Sequence, residues 1–275
     1  RHEDARPLFE ESLRAALALG SRTAIVHATS QLGLVEYFAG DLDEAERRLG
    51  EALALATSEG SRPAVAAALQ GLGFVAEDRG ALDAAAAHYA ESLAACRENG
   101  DRYGAARGLM LLGEVERRRG AAAAARAYYE QALALARGVG SVYVAGLLEG
   151  NLAYLAASLG RNREALARAR AALDAHRETG SSTVGLPVLV ALAEVAVGRG
   201  DARLALELLG HVQAHPGNRK DHRNEVERVL ARLRRELPDV DVERGMAAGR
   251  GRAFDELAAE ALGHRPERVP GRSSS

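Results

Sequence analysis

The sequence predicts an all-α protein built as a linear array of paired helices, and three observations carry that reading. The 275 residues are 47% hydrophobic and only 4% aromatic, with no Trp. Ala, Leu, Arg and Glu dominate, all strong helix formers, while strand-forming residues are sparse. Glycine recurs with a period of 40: Gly20, Gly60, Gly100, Gly140 and Gly180 are each followed by Ser or Asp, and a second column, Gly40, Gly80, Gly120, Gly160 and Gly200, falls midway. Between the marks lie segments of roughly 16 to 18 residues, helical in length and composition. Such a chain is long enough to bury a substantial core, made of Ala, Leu and Val.

In chain order, the first segment, "RHEDARPLFEESLRAALALG", aligns with the second helix of a pair. Ala5 matches Ala45, Phe9 matches Leu49 and Leu13 matches Leu53. Its first helix is absent, so residues 1–20 read as a half repeat, and a chain that opens on Arg1 in mid-repeat predicts a fragment of something longer. Repeats follow at 21–60, 61–100, 101–140, 141–180 and 181–215. In each, glycine just past a helix end takes the left-handed conformation at little cost. The Ser or Asp after it is expected to cap the next helix by accepting from a free N–H. Pro63, in a first turn, is tolerated there because its missing N–H would have been unpaired. The midpoint glycines end the first helix of each pair at turns such as "GDLDEA", "GALDAA" and "GRNREA".

Further columns share the register. Leu32, Leu72, Leu112, Leu152 and Leu192 are each followed by a small residue: Gly33, Gly73, Gly113, Ala153 and Ala193. Ala45, Ala85, Ala125, Ala165 and Ala205 form another column, followed four residues on by Leu49, Tyr89, Tyr129, Ala169 and Leu209. Small residues let two helices approach, and the large ones fill the space between pairs.

After the array, "HVQAHPGNRKD" reads as a loop. Residues 216–262 are expected to hold capping helices, the first carrying Val226, Val229, Leu230 and Leu233 at helical spacing. The stretch "RGMAAGRGRAFDE" has several glycines and no preceding strand, so it reads as a loop, with a short acidic helix, "DELAAEAL", after it. Residues 263–275, "GHRPERVPGRSSS", read as a disordered, solvated tail.

These columns resemble the tetratricopeptide repeat. That family uses Leu-Gly in its first helix and, in its second, Ala, a large apolar residue and Ala, the last column here being Ala52, Ser92, Ala132, Ala172 and Val212. The resemblance covers roughly residues 1–215 and recurs in all five repeats. Departures are the period of 40 in place of the usual 34, the missing terminal proline, and Thr29, Leu69, Leu109, Glu149 and Leu189 where an aromatic often stands before Leu-Gly. Long repeats of this kind resemble the sensor regions of MalT-like activators and of peptide-pheromone receptors. The segment with Met246, Gly249-Arg250 and Phe254 is similar to the closing segment of large actinobacterial regulators that join an ATPase, the repeats and a DNA-binding domain; Ala253 replaces the usual Ser or Thr cap of the short helix, which is therefore expected to fray. The resemblance implies a right-handed superhelix, or α-solenoid, with a concave groove lined by the first helices.

No chemistry stands out against this scaffold. A net charge of -2 gives no reason to expect nucleic acid or an anionic membrane as a partner. No apolar run reaches the ~20 residues of a membrane span and no secretory signal opens the chain, which predicts a soluble, cytoplasmic protein. A single cysteine, Cys96, excludes an internal disulfide and reads as a small helix-end residue. Of 36 basic residues only Lys220 is lysine, in "NRKDH", so there is no phosphate-binding Gly-Lys-Ser/Thr loop, and the bias fits a GC-rich genome. His211 and His215 would share a helix face, with His222 as a third metal ligand, but Pro216 ends that helix and no Glu is placed as in a zinc helix. His2, His27, His88, His176 and His264 share no spacing, no nucleophile elbow occurs, and adjacent acids such as Glu77-Asp78 point apart on a helix. Arg117, Arg118 and Arg119 read as a solvated run complementing a helix dipole. No catalytic residue, metal or cofactor is expected.

What remains is a binding face. With the Leu32 column turned to the core, the opposite arc of the first helices holds His27, Gln31, Leu34, Tyr37 and Phe38, then Gln70, Phe74, Glu77 and Asp78. It continues with Arg107, Met110, Glu114, Arg117 and Arg118, then Asn151, Tyr154 and Ser158. Concave repeat surfaces bind extended peptides or helices, aromatics supplying area and Asn, Gln and Arg gripping polar groups. The expected function is a non-enzymatic protein- or peptide-binding module, the sensor or partner-binding part of a larger bacterial transcriptional regulator. A stand-alone adaptor and a receptor for a short signalling peptide are the alternatives.

Overall fold

In the computed structural model, which describes residues 5–216 and 220–263 and no side chain of residues 220–222, every regular element is an α-helix. The chain divides between Ser141 and Val142 into two compact units. The first holds α1 (Arg6–Ala18), α2 (Arg22–Ala39), α3 (Leu42–Ser58), α4 (Arg62–Asp78), α5 (Leu82–Glu98), α6 (Arg102–Arg118) and α7 (Ala122–Gly138). The second holds α8 (Val142–Ser158), α9 (Asn162–Thr179), α10 (Ser182–Gly198), α11 (Ala202–Ala214), α12 (Lys220–Leu233), α13 (Asp239–Arg250) and α14 (Phe254–Ala261). From α1 to α7 and from α8 to α11 consecutive helices pack as hairpins, the arrangement of an α-solenoid of tetratricopeptide-type repeats, while α13 packs on α11 and α14 on α10 and α11.

The glycine punctuation is a matter of backbone sign. All ten glycines of the two columns have φ between 62° and 90°, a region that costs a residue with a Cβ about 1–2 kcal/mol. At Gly40 the chain turns so that Asp41 N–H donates to the Glu36 carbonyl at 3.0 Å and Gly40 N–H to Tyr37, closing α2 with the paired bonds of a Schellman motif. The residue after glycine behaves differently from expectation. Asp41, Asp101 and Asp201 accept from Glu44, Gly104 and Leu204 N–H at 3.1, 2.8 and 3.0 Å. Ser21, Ser61 and Ser181 make no such bond. At the three aspartates ψ is 72–88° and at the three serines 90–113°, and the longer side chains of the less extended aspartates reach the third amide.

The core follows the column pairing. Leu49, Tyr89 and Tyr129 are fully buried. A Cβ at Gly33 would stand 2.7 Å from Leu49 Cγ, one at Gly113 2.6 Å from Tyr129 Cε1, and one at Gly73 would collide with the edge of the Tyr89 ring. The missing side chain of the first helix is therefore the space into which the second helix inserts its largest residue. Repeats four and five use Ala153 with Ala169 and Ala193 with Leu209, all buried.

The stretch expected to loop at "RGMAAGRGRAFDE" is instead the end of α13, which closes at Gly251. Its glycines are packing surface. A Cβ at Gly245 would lie 2.7 Å from Leu206 Cβ, and Cβ atoms at Gly249 and Gly210 would fall on the backbone carbonyls of Glu207 and Met246. Helices α11 and α13 thus cross backbone to backbone, and that burial outweighs the poor helix propensity of glycine. The short helix α14 forms with no side-chain cap at Ala253.

Buried glutamates join flanking helices to the repeats. Glu36 on α2 takes Arg6 of α1 at 2.5 Å, and Glu194 on α10 takes Arg232 of α12 at 2.5 Å. Glu207 on α11 takes Arg252, between α13 and α14, also at 2.5 Å. Among the described residues no helix is long and apolar enough to cross a membrane. The half-repeat opening at Arg1, His2, His264 and most of the predicted tail lie outside the described residues.

Candidate binding face

In the first unit the predicted face is made by α2, α4 and α6, which present their leucine columns to the second helices and turn the opposite arc outward. Gln31, Leu34 and Tyr37 are half-buried, and His27 and Phe38 are exposed, Phe38 to 47%. Leu34 and Tyr37 pack against the cluster of Ala45, Leu49, Leu72 and Val75. Three aromatic contacts run from the surface inward: Phe38 edge-on to Tyr37 at 5.1 Å, Tyr37 stacked on Phe74 at 5.9 Å, and Phe74 edge-on to Tyr89 at 5.9 Å. Such arrangements stabilise beyond area burial and make a rigid apolar platform. Beside it, α2 and α4 enclose a cavity of about 310 Å³ lined by Thr23, His27, Ser30 and Gln31 on one side and by Pro63 and Ala67 on the other. That volume falls in the usual range for ligand sites.

The charged members grip one another. Tyr89 Oη donates to Glu77 at 3.0 Å and Tyr129 Oη donates to Glu114 at 2.8 Å. Arg118 donates to Glu77 at 2.7 Å, and Arg117 Nε donates to Glu114 at 3.0 Å. Burial, reinforced by the neighbouring Glu114 charge, pushes the Glu77 carboxyl above its usual range against the pull of Arg118. At Glu114 burial also favours the neutral acid, but Arg117 and the Tyr129 hydroxyl outweigh it and hold the carboxyl below its usual range. The arginine run is not merely solvated: Arg119 pairs with Glu116 at 2.6 Å and with Asp83. Arg107 and Met110 are half-buried, and among the described residues Arg107 makes no ion pair. Gln70, expected on the face, is 9% exposed and belongs to the packing between helices.

In the second unit the expectation fails at one residue. Asn151 is half-buried, but Tyr154 is only 4% exposed and lies within the core cluster. Gly146 and Gly150 draw α10 against α8, a Cβ at Gly150 standing 3.6 Å from Val188, and the closely approached helices bury the ring. The equivalent position in repeat five, Glu194, is covered by α12, whose Val226, Val229, Leu230 and Leu233 enter the same cluster. The spacing of those four residues signalled an amphipathic helix but not where it would dock. The sequence reading also missed Tyr89 and Tyr129 as hydroxyl donors to the face; the signal was tyrosine opposite glycine in repeats two and three.

The residues weighed for other chemistry are accounted for structurally. His211 Nδ1 lies 3.0 Å from the Arg252 carbonyl, and its ring stands 6.1 Å from those of His215 and Phe254. Burial pushes the His211 imidazole pKa down. The side chain of His222 lies outside the described residues, and among those described no three His, Cys, Asp or Glu form a metal-binding group. Cys96 is buried, and burial pushes its thiol pKa up.

The model of the MalT-like TPR region matches residues 10–266. The chain belongs to that family. Solved structures with the same fold accompany the MalT-like match. BtubC (BKLC) from P. vanneervenii is 19% identical, with a TM-score of 0.62 over 86% of this chain and 94% of its own. A Rap protein complexed with Competence and Sporulation Factor is 13% identical, with a TM-score of 0.71 over 95% of this chain and 71% of its own. The apo quorum sensor NprR from B. thuringiensis is 12% identical, with a TM-score of 0.58 over 88% and 69%. No curated protein matches this MalT-like chain.

Proposed function

We propose that this chain is a non-enzymatic binding module that takes a peptide or a protein segment along the first-helix face of its first unit, as the cytoplasmic sensor or partner-binding region of a larger bacterial transcriptional regulator. One observation carries the reading: the aromatic platform of Tyr37, Phe38 and Phe74 lies beside a cavity edged by His27 and Gln31, in an otherwise Ala-Leu protein. An apolar platform rimmed by a few polar groups suits a peptide whose side chains bury against rings while its backbone meets amide and imidazole. Membership of the MalT-like family supports a sensing role, and the Rap and NprR structures, one bound to a signalling factor and one named a quorum sensor, support peptide as the ligand class. In the full regulator, binding would shift the populations of an attached ATPase and DNA-binding region.

Panning a random peptide library on the purified chain tests the site. Enriched peptides should lose at least about tenfold in affinity on Phe38→Ala or His27→Ala, as for loss of a contact residue. They should be indifferent to Glu91→Ala on the exposed side of α5. Peptides insensitive to both face variants would place recognition elsewhere. An immunoblot of source cells tests the context: a band well above 29.0 kDa is expected, and a band near 29.0 kDa would favour a stand-alone adaptor.

A further inference from the structure

Three successive repeats begin their first helix with arginine: Arg22, Arg62 and Arg102. In two of them a glutamate near the end of the same repeat neutralises it, Arg22 with Glu59 at 2.7 Å and Arg62 with Glu98 at 3.0 Å. The third breaks the pattern. Gly138 and Val139 occupy the places of the acids, and Arg102 Nη2 lies 2.9 Å from where a Cβ on Gly138 would stand. Among the described residues Arg102 forms no ion pair, and neither does Arg97 one turn before the preceding glycine. Between them the structure opens a cavity of about 430 Å³, walled by α5, α6 and α7 and lined by Ala105, Leu109, Ala134 and Leu135. Its acid, Asp101, is committed to the Gly104 amide at 2.8 Å. Two guanidinium groups that form no ion pair among the described residues thus edge an apolar hollow, whose one carboxylate, Asp101, leaves it with a net positive charge, and the site uses none of the residues of the peptide-binding face.

We propose that this cavity binds a small organic carboxylate with a short apolar chain, its charge held by Arg102 and Arg97 where the two preceding repeats supply their own glutamate. Guanidinium groups pair well with carboxylates, and apolar walls reward a hydrocarbon portion that an inorganic anion lacks. The site stands whether or not the inner face binds a peptide.

Amide-resolved NMR of the whole chain, titrated with sodium hexanoate, tests it. Saturable shifts are expected at residues 101–105 and 131–138, with hexanamide and sodium chloride at equal ionic strength leaving them in place. Gly138→Glu restores the carboxylate that the repeat lacks; it should abolish the hexanoate response while the helical circular dichroism stays unchanged. Arg102→Gln, which keeps the cavity open, should weaken binding about tenfold, the loss of one charge-assisted contact. The proposal is overturned by no response in the unaltered chain, by equal shifts with chloride or hexanamide, or by a response that survives both substitutions.

Discussion

Gly73 and Tyr89 show how much of this fold is decided atom by atom. The tyrosine ring occupies the volume that a methyl group on Gly73 would need, so Gly73→Ala should destabilise the first unit by about 1–3 kcal/mol, the cost of overpacking. In a Tyr89→Ala background, which copies the Ala153 and Ala169 pairing of repeat four, the same change should cost much less. A double-mutant cycle in urea measures the coupling, and additive costs would refute the pairing. Glu77 carries a pH prediction. Its folded-state carboxyl titrates above the ordinary value of 4.5, because burial disfavours the charged form. Its protonated state therefore contributes stability that is fully present below pH 4.5 and lost as pH rises through the folded value. Glu77→Gln, which keeps an acceptor for Tyr89, should gain stability relative to the parent at pH 7 and lose that advantage at pH 4, as read by thermal unfolding at the two pH values. At this scale the sequence was readable where side-chain volume decides, as in the glycine column facing Leu49, Tyr89 and Tyr129. It was misleading where reach decides: serine and aspartate look alike as caps, but Asp41, Asp101 and Asp201 reach the third amide where Ser21, Ser61 and Ser181 do not.

Helix α12 is the element whose position no periodicity foretold. Its apolar residues at 226, 229, 230 and 233 announced an amphipathic helix, but any exposed apolar surface would have satisfied them. The polar contact that singles out this site is Arg232 on the buried Glu194. Arg232→Ala leaves that carboxylate buried without its cation, a loss of about 1–3 kcal/mol. Amide exchange should accelerate throughout α12 while α9 stays protected. Glu194→Gln, which removes the stranded charge, should be the milder change, and the reverse order would argue against the pair as the anchor. Tyr154 was misplaced for a related reason: its position in the repeat points to the groove in repeats one to three, and only the close approach of α10 to α8, set by Gly146 and Gly150, puts it in the core. The candidate face was legible in the first unit because its residues there, Gln70 apart, keep the exposure the repeat implies, and illegible where α10 closes on α8 and where α12 packs over Glu194.

Across the molecule, stability is expected to be local. Contacts run between neighbouring helices, so a perturbation should propagate a hairpin or two and stop. Native-state amide exchange on Gly73→Ala should show lost protection in α4 and α5 with α9 to α11 unchanged; uniform loss would mean that the two units open as one. The first four full repeats have the same length and each ends on a left-handed glycine, which suggests that one could be removed without harm. The sockets say otherwise. Gly71 lies over Leu49, where a Cβ would stand 2.6 Å from Leu49 Cδ2, and the residue forty positions on is Leu111. Excising residues 61–100 would join Gly60 to Asp101 with a sound turn and a better cap, yet set a leucine against the buried Leu49 methyls, which would have to shift to admit it. The repeats are thus equal in pitch but individually keyed, and their order along the chain is itself stored information, written in which residues are absent.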